Sequence, residues 1–238
     1  MTDHSAPFGH TREILPIWLF DLDNTLYPPG TGLMDAISRR IGEYIERHLR
    51  LPAQIAEQMR EAYFGAYGSS VRGVLLHCRV EANDFLSFIH DLPLNQYLEP
   101  DPTLPGLLGA LPGEKYVFTN ATAEYASRAL RALAIEEHFV GIFDIYKSEL
   151  EGKPSPLAYE RVLEALGRPE GACWLVEDSL ANLQTGKLYG CLTAWITPDR
   201  SSAPAFVDLA IKELAQLGST RYGHGPGGLM SAQVTTPY

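Results

Sequence analysis

The chain is poor in cysteine, in long apolar runs and in positive charge. Its three cysteines, Cys78, Cys173 and Cys191, stand far apart among 238 residues, and no Cys-x-x-Cys pair occurs. A scattered, odd set supports neither a disulfide framework nor a zinc site. Reduced thiols in a cytoplasmic protein are the simpler expectation. No apolar run approaches the roughly 20 residues of a membrane span. The opening stretch MTDHSAPFGHTRE lacks the apolar centre of a secretory signal. Lys and Arg together number 19 against 29 Asp and Glu, a formal net charge of −10. That balance argues against a nucleic-acid polymer or an anionic membrane as the partner. It also sets a condition: an anionic substrate needs a local reversal of sign at its site.

What is present is a sheet-forming rhythm. Residues 14–23 (ILPIWLFDLD) are almost unbroken apolar sequence ending in acids. A run of that kind suits a strand buried on both faces of a parallel sheet. Residues 116–119, 142–145, 173–176 and 192–196 repeat it. Helical patterns lie between them. Residues 121–134 put Tyr125, Ala129, Leu130 and Leu133 on one face. Residues 156–166 begin after Ser155 as N-cap with Pro156 at the first position, and Gly167 ends them. Residues 180–189 run from Ser179 to Gly190. Alternating strands and helices predict an α/β protein, a doubly wound parallel sheet with helices on both faces.

Residues 28–98 break that rhythm. Residues 33–49 carry Leu33, Ile37, Ile41, Tyr44, Ile45 and Leu49 in helical register, and 52–66 and 81–90 also look helical. The expected division is a core domain of residues 14–27 and 99–217, an inserted all-helical domain of 28–98, and flexible termini at 1–13 and 218–238.

Ligands of open parallel sheets bind beyond the carboxyl ends of the strands. Asp21 and Asp23 follow the first run, Thr119 and Asn120 the second, Lys153 the third, and Glu177 and Asp178 the fourth. Taken singly, each has a plainer reading. The acids can cap turns or helices, Thr119 can cap the helix that follows, and Lys153 can be a solvated loop residue. Taken together, four carboxylates, a hydroxyl and a lysine meet on one edge, and a packed core would avoid such a gathering. A hard divalent cation resolves the conflict. Carboxylate oxygens without histidine or thiolate favour Mg²⁺. With the ion and Lys153 in place, the site can accept a phosphate.

This ordered set resembles the haloacid dehalogenase superfamily of phosphohydrolases. FDLDNTLYP (residues 20–28), Thr119-Asn120, Lys153-Pro154 and Glu177-Asp178-Ser179 are similar to its four motifs in turn. The resemblance implies a sheet core with a helical cap at residues 28–98. It implies Asp21 as nucleophile and Asp23 as the acid that protonates the leaving oxygen and then deprotonates water. Thr119 and the Asn120 amide would hold phosphoryl oxygens, and Lys153 would neutralise charge. Asp178, the Asp21 carboxylate and the Asp23 carbonyl would bind Mg²⁺. Glu177 departs from the commoner Asp-Asp form and is placed behind the ion's ligands. The presence of Asp23 disfavours dehalogenation. The Leu26-Tyr27-Pro28 extension, Tyr67-Gly68, Arg72-Gly73 and residues 75–98 resemble the pyrimidine 5′-nucleotidase branch. That match implies a nucleoside monophosphate such as UMP or CMP, with Tyr67, Arg72 and His77 as contacts. Alternative readings are a sugar phosphate, phosphoglycolate or vitamin-precursor phosphatase, and a non-catalytic phosphate-binding module.

Overall fold

The computed structural model describes residues 15–167, 171–224 and 230–234. Its frame is a sheet of six parallel strands: β1 (Ile17–Phe20), β2 (Glu114–Phe118), β3 (Gly141–Phe143), β4 (Cys173–Glu177), β5 (Leu192–Ile196) and β6 (Leu209–Ile211). Their order is β3-β2-β1-β4-β5-β6. The strand order therefore reverses at β1, which lies between β2 and β4, and a switch point of that kind opens a crevice at the strands' carboxyl ends.

Side-chain alternation explains why both faces are covered. Trp18 and Phe20 point to one face, where they join Val117, Trp174 and Val176. Ile17 and Leu19 point to the other and join Phe118, Cys173 and Leu175. Every β1 residue is buried. Burial of a large apolar side chain contributes about 1.5–3 kcal/mol, so a four-residue strand can anchor the sheet. The Trp18 and Trp174 rings stack at 5.7 Å on adjacent strands.

After β1, residues 28–98 hold four α-helices: α1 (Leu33–Leu49), α2 (Ala53–Tyr67), α3 (Ser70–His77) and α4 (Ala82–His90). They form the helical insertion. The core adds α5 (Leu104–Ala110), α6 (Ala123–Ala132), α7 (Pro156–Leu166) and α8 (Leu180–Leu188). Tyr159 and Val162 of α7 and Leu183 of α8 pack on the Ile17/Leu19 face. Tyr125, Ala129 and Leu130 of α6 pack on the other. Ser155 occupies the N-cap position of α7, yet its hydroxyl donates to Glu151 Oε2 at 2.9 Å instead of capping.

Within residues 28–217, two α-helices and one strand exceed the sequence reading: α3, α5 and β6. Helix α3 contains Gly73, whose added Cβ would fall 2.3 Å from the Tyr63 ring, so helical pattern there yields to close packing. Helix α5 is short and carries Pro105, Gly106 and Gly109. Strand β6 has three residues, too few to establish a period. Residues 220–234, read from composition as part of a mobile tail, include an antiparallel pair, β7 (Thr220–His224) with β8 (Met230–Val234). The N-terminal arm expected at 1–13 lies outside the described residues. Cys78, Cys173 and Cys191 are buried as thiols. No described helix is long and apolar enough to cross a membrane.

One glycine fixes the entry to β2. Gly113 has φ +88°, and a Cβ there would stand 1.9 Å from the Pro16 carbonyl oxygen. Gly113→Ala is expected to cost more than about 1 kcal/mol of stability, read as a lowered thermal midpoint. An unchanged midpoint would mean that this approach does not constrain the sheet.

Candidate active site

Register brings the acids together. Phe20 pairs with Val176, so Asp21 and Glu177 follow side by side at the carboxyl edge. The Asp21 amide still donates to the Val176 carbonyl at 2.9 Å. Leu22 turns back into the core, and Asn24, in the left-handed region at φ +62°, bends the chain away. Asparagine tolerates that conformation better than most residues. On the opposite side of β1, β2 delivers Thr119 and Asn120.

Lys153 comes from the loop after β3 and is only 1% exposed. Its Nζ donates to Asp21 Oδ1 at 2.7 Å and to Glu177 Oε2 at 2.6 Å. The Asn120 side chain fixes the lysine's backbone with two hydrogen bonds. Its Nδ2 donates to the Lys153 carbonyl at 2.7 Å, and its Oδ1 accepts from the Lys153 amide at 2.6 Å. Thr119 is buried, and its Oγ1 accepts from the Ala121 amide at 3.0 Å. Asp23 Oδ1 accepts from the Tyr27 hydroxyl at 2.5 Å and from the Tyr125 hydroxyl at 2.9 Å.

The site is crowded with negative charge. Burial, and then Glu177, push the Asp21 carboxyl up to about 7 against the pull of Lys153. Burial raises Glu177 to about 7 as well, with Lys153 opposing and Asp178 reinforcing. Burial raises Asp178, helped by Asp21. Burial raises Asp23 too, although both tyrosine hydroxyls oppose the shift. Burial works against the Lys153 charge, but Asp21 and Glu177 outweigh it and hold its pKa above the usual lysine value.

Carboxylate oxygens of Asp21, Glu177 and Asp178 lie within 4.8 Å of one another. These hard oxygen donors fit a magnesium ion better than a soft transition metal. Glu177 spends Oε2 on Lys153 and Oε1 on the Ser179 amide at 3.2 Å. Asp178 and the second oxygen of Asp21 are therefore better placed to face an ion.

The sequence profile of the haloacid dehalogenase-like hydrolases matches residues 17–190. The chain belongs to this hydrolase family. It is 29% identical over 189 residues to Phosphate metabolism protein 8 of Saccharomyces cerevisiae. That alignment takes in 73% of this chain but only 59% of the yeast protein's length. The fold resembles a HAD phosphatase from Thermococcus onnurineus, with a TM-score of 0.60, 18% identity, and 85% and 96% of the two chains covered. It also resembles the HAD-hydrolase YfnB of Bacillus subtilis, solved bound to magnesium, with a TM-score of 0.56 at the same identity and coverage.

In this haloacid dehalogenase-like hydrolase, a cavity of about 560 Å³ lies over the acids. Core residues Asp21, Asp23, Lys153 and Asp178 line it from below, and Arg60, Phe64 and Ser70 of the insertion line it from above. Tyr67, Arg72 and His77, expected to contact substrate, are not among the residues lining it. The Tyr67 hydroxyl pairs with His77 Nε2 at 2.6 Å on an exposed face. Arg72 ion-pairs with Glu151, and its Nη1 donates to the Glu151 carbonyl at 3.4 Å. It thereby joins the insertion to the loop that carries Lys153. Sequence reasoning missed Tyr27 and Tyr125 as partners of Asp23: Tyr27 reads only as part of a family motif, and a tyrosine at helical spacing, as Tyr125 is, reads as core. It also missed Arg60 and Phe64, whose positions on α2 show no pattern apart from that of an ordinary surface.

Proposed function

We propose that the protein is a magnesium-dependent phosphomonoester hydrolase working through an aspartyl-phosphate on Asp21. The observation that carries the reading is the Asp21–Lys153–Glu177 contact on the cavity floor, beside Asp178 and a tyrosine-held Asp23. A carboxylate is a modest nucleophile, so the site must supply positioning and charge stabilisation. Lys153 supplies both. It holds the Asp21 carboxylate in place through Oδ1 and offsets its charge. A magnesium ion held by Asp21, Asp178 and the Asp23 carbonyl supplies positive charge for the phosphoryl oxygens when bound.

In the first displacement an Asp21 oxygen bonds to phosphorus, and the bond from phosphorus to the ester oxygen breaks. Asp23 gives its proton to the departing oxygen. Both tyrosines bond to Asp23 Oδ1, which leaves Oδ2 to carry that proton. The raised Asp23 pKa favours the protonated form that this step needs. In the second displacement water attacks phosphorus, Asp23 takes the water's proton, and inorganic phosphate leaves with Asp21 restored. Two displacements through one covalent intermediate divide a difficult step into easier ones. Thr119 and the Asn120 amide hold the phosphoryl oxygens on this reading, while the Asn120 side chain keeps Lys153 in place.

The finer reading is a pyrimidine nucleoside 5′-monophosphate, UMP or CMP. It is supported by the Leu26-Tyr27-Pro28 and residue 75–98 resemblance, and by a cavity of a size that suits a small ligand. Phe64, 59% exposed on the cavity wall, offers a ring face for a base. The contacts pass from Tyr67, Arg72 and His77 to Arg60, Phe64 and Ser70. A phosphomonoester panel, run with Mg²⁺ and again in EDTA, tests both levels. UMP and CMP are expected to release phosphate fastest, with the activity lost in EDTA and regained with Mg²⁺. Preference for a sugar phosphate or phosphoglycolate would overturn the nucleotide reading alone. Activity surviving exhaustive chelation would overturn the metal.

A further inference from the structure

We infer that His90 is a positioning residue, tying the end of the helical insertion through the Tyr125 ring to Asp23. The inference rests on Asp23 acting as acid and base in the reaction proposed above. His90 is the last residue of α4, is 6% exposed, and lines the same cavity as Asp21 and Asp23. Its ring stacks on that of Tyr125 with centroids 4.5 Å apart and planes inclined at 26°. Tyr125 in turn donates its hydroxyl to Asp23 Oδ1. A chain of two contacts therefore runs from the insertion to the proton-transfer group.

Hydrogen bonding accounts for little of the histidine's placement: the Leu86 backbone, one turn back on α4, is a weak polar partner of the ring, and no described side chain hydrogen-bonds its Nδ1. The aromatic stack is the favourable contact that accounts for its place. Burial, and then Arg128, hold the imidazole pKa down to about 3, so the ring is a neutral aromatic surface. Arg128 stands one turn after Tyr125 on α6, and its Nη2 donates to the carbonyls of His90 at 3.2 Å and Leu92 at 2.7 Å. One face of α6 thus grips both the ring and the backbone of His90. The Tyr125 ring gains a wall from the insertion that the core does not provide. The position of the Asp23 carboxyl then depends on the insertion as well as on the sheet.

p-Nitrophenyl phosphate separates the two chemical steps. Nitrophenolate departs without needing a proton, so the first displacement does not require Asp23, whereas the second needs it to take the proton from water. The test is kcat, KM and the acid-quenched phosphoenzyme fraction, with Mg²⁺, for the wild type, Asp23→Asn, His90→Ala, His90→Leu and His90→Phe. Misplacing a catalytic group by about 1 Å costs on the order of 100-fold. His90→Ala and His90→Leu are therefore expected to lose about tenfold to 100-fold in kcat, with KM falling alongside so that kcat/KM is nearly unchanged. Both should hold more enzyme as phosphoenzyme than the wild type does. His90→Phe should restore the rate and clear the phosphoenzyme, because it keeps the stack. His90→Leu fills the site, so it reports even if the alanine variant melts. If Asp23→Asn accumulates phosphoenzyme and neither His90→Ala nor His90→Leu does, the inference is wrong while the reaction stands. If Asp23→Asn accumulates none, or the wild type releases no nitrophenolate, it is the proposed reaction that fails.

Discussion

Asp21→Asn is expected to lower kcat at least about 10⁴-fold for every phosphomonoester the protein hydrolyses. The amide has the shape of the carboxyl and keeps an oxygen for the Lys153 ammonium, but it has no anionic oxygen to attack phosphorus. The substitution should leave the fold intact. Burial and Glu177 already push the Asp21 carboxyl up to about 7, so its charge is a burden on the metal-free protein rather than a support. A neutral side chain relieves that repulsion. Phosphate release read beside a thermal melt separates the two effects. Near wild-type release from a well-folded Asp21→Asn protein would remove the covalent mechanism, and loss of activity together with loss of the melt would leave the nucleophile unassigned.

Legibility differed between the sheet and the insertion for physical reasons. Strands buried on both faces announce themselves as apolar runs, and β1, β4 and β5 stand where residues 14–23, 173–176 and 192–196 put them. The acids at the strand ends were readable because a parallel sheet has only one edge on which Asp21 and Glu177 can emerge. Lysine burial was not readable from Lys153 itself, since a lone lysine usually stays in water. Only the neighbouring carboxylates give it a reason to be 1% exposed. Glu177 illustrates the reverse case. The longer side chain looked like a departure from an aspartate pair, and in the structure it bonds to Lys153 Nζ and is buried, while the shorter Asp178 is partly exposed. The insertion was read correctly as helical, but the three residues expected there as substrate contacts do not line the cavity. Tyr67 and His77 satisfy each other, Arg72 serves the seam with Glu151, and the cavity is lined by neighbours on the same helices. Which face of a short helix meets the substrate depends on packing across the seam, and residue spacing does not encode it.

Lys153→Met is expected to lower kcat on the order of 100-fold or more, and its effect on stability should depend on pH in a direction fixed by the carboxyls around it. Removing one partner from a buried ion pair typically costs about 3–5 kcal/mol, because the remaining charges stay desolvated and uncompensated. Here the remaining charges are Asp21 and Glu177, both pushed up to about 7 even with the lysine present. Each carboxyl titrates higher in the folded protein than in the unfolded chain. Its contribution to stability is therefore present below the unfolded carboxyl range and is lost as the pH rises through about 7. Without Lys153 both should rise further, so the variant suffers most where they are forced to ionise. At pH 5 the carboxyls are neutral and methionine fills the lysine's stem, so the metal-free variant should melt close to the wild type. At pH 8 it should melt well below it, and Mg²⁺ should recover part of the difference by supplying the missing positive charge. Thermal midpoints of both proteins across that pH range, with and without Mg²⁺, measure this directly. An equal loss at pH 5 and pH 8 would show that Lys153 acts through packing rather than charge, and the electrostatic account of the site would have to be abandoned.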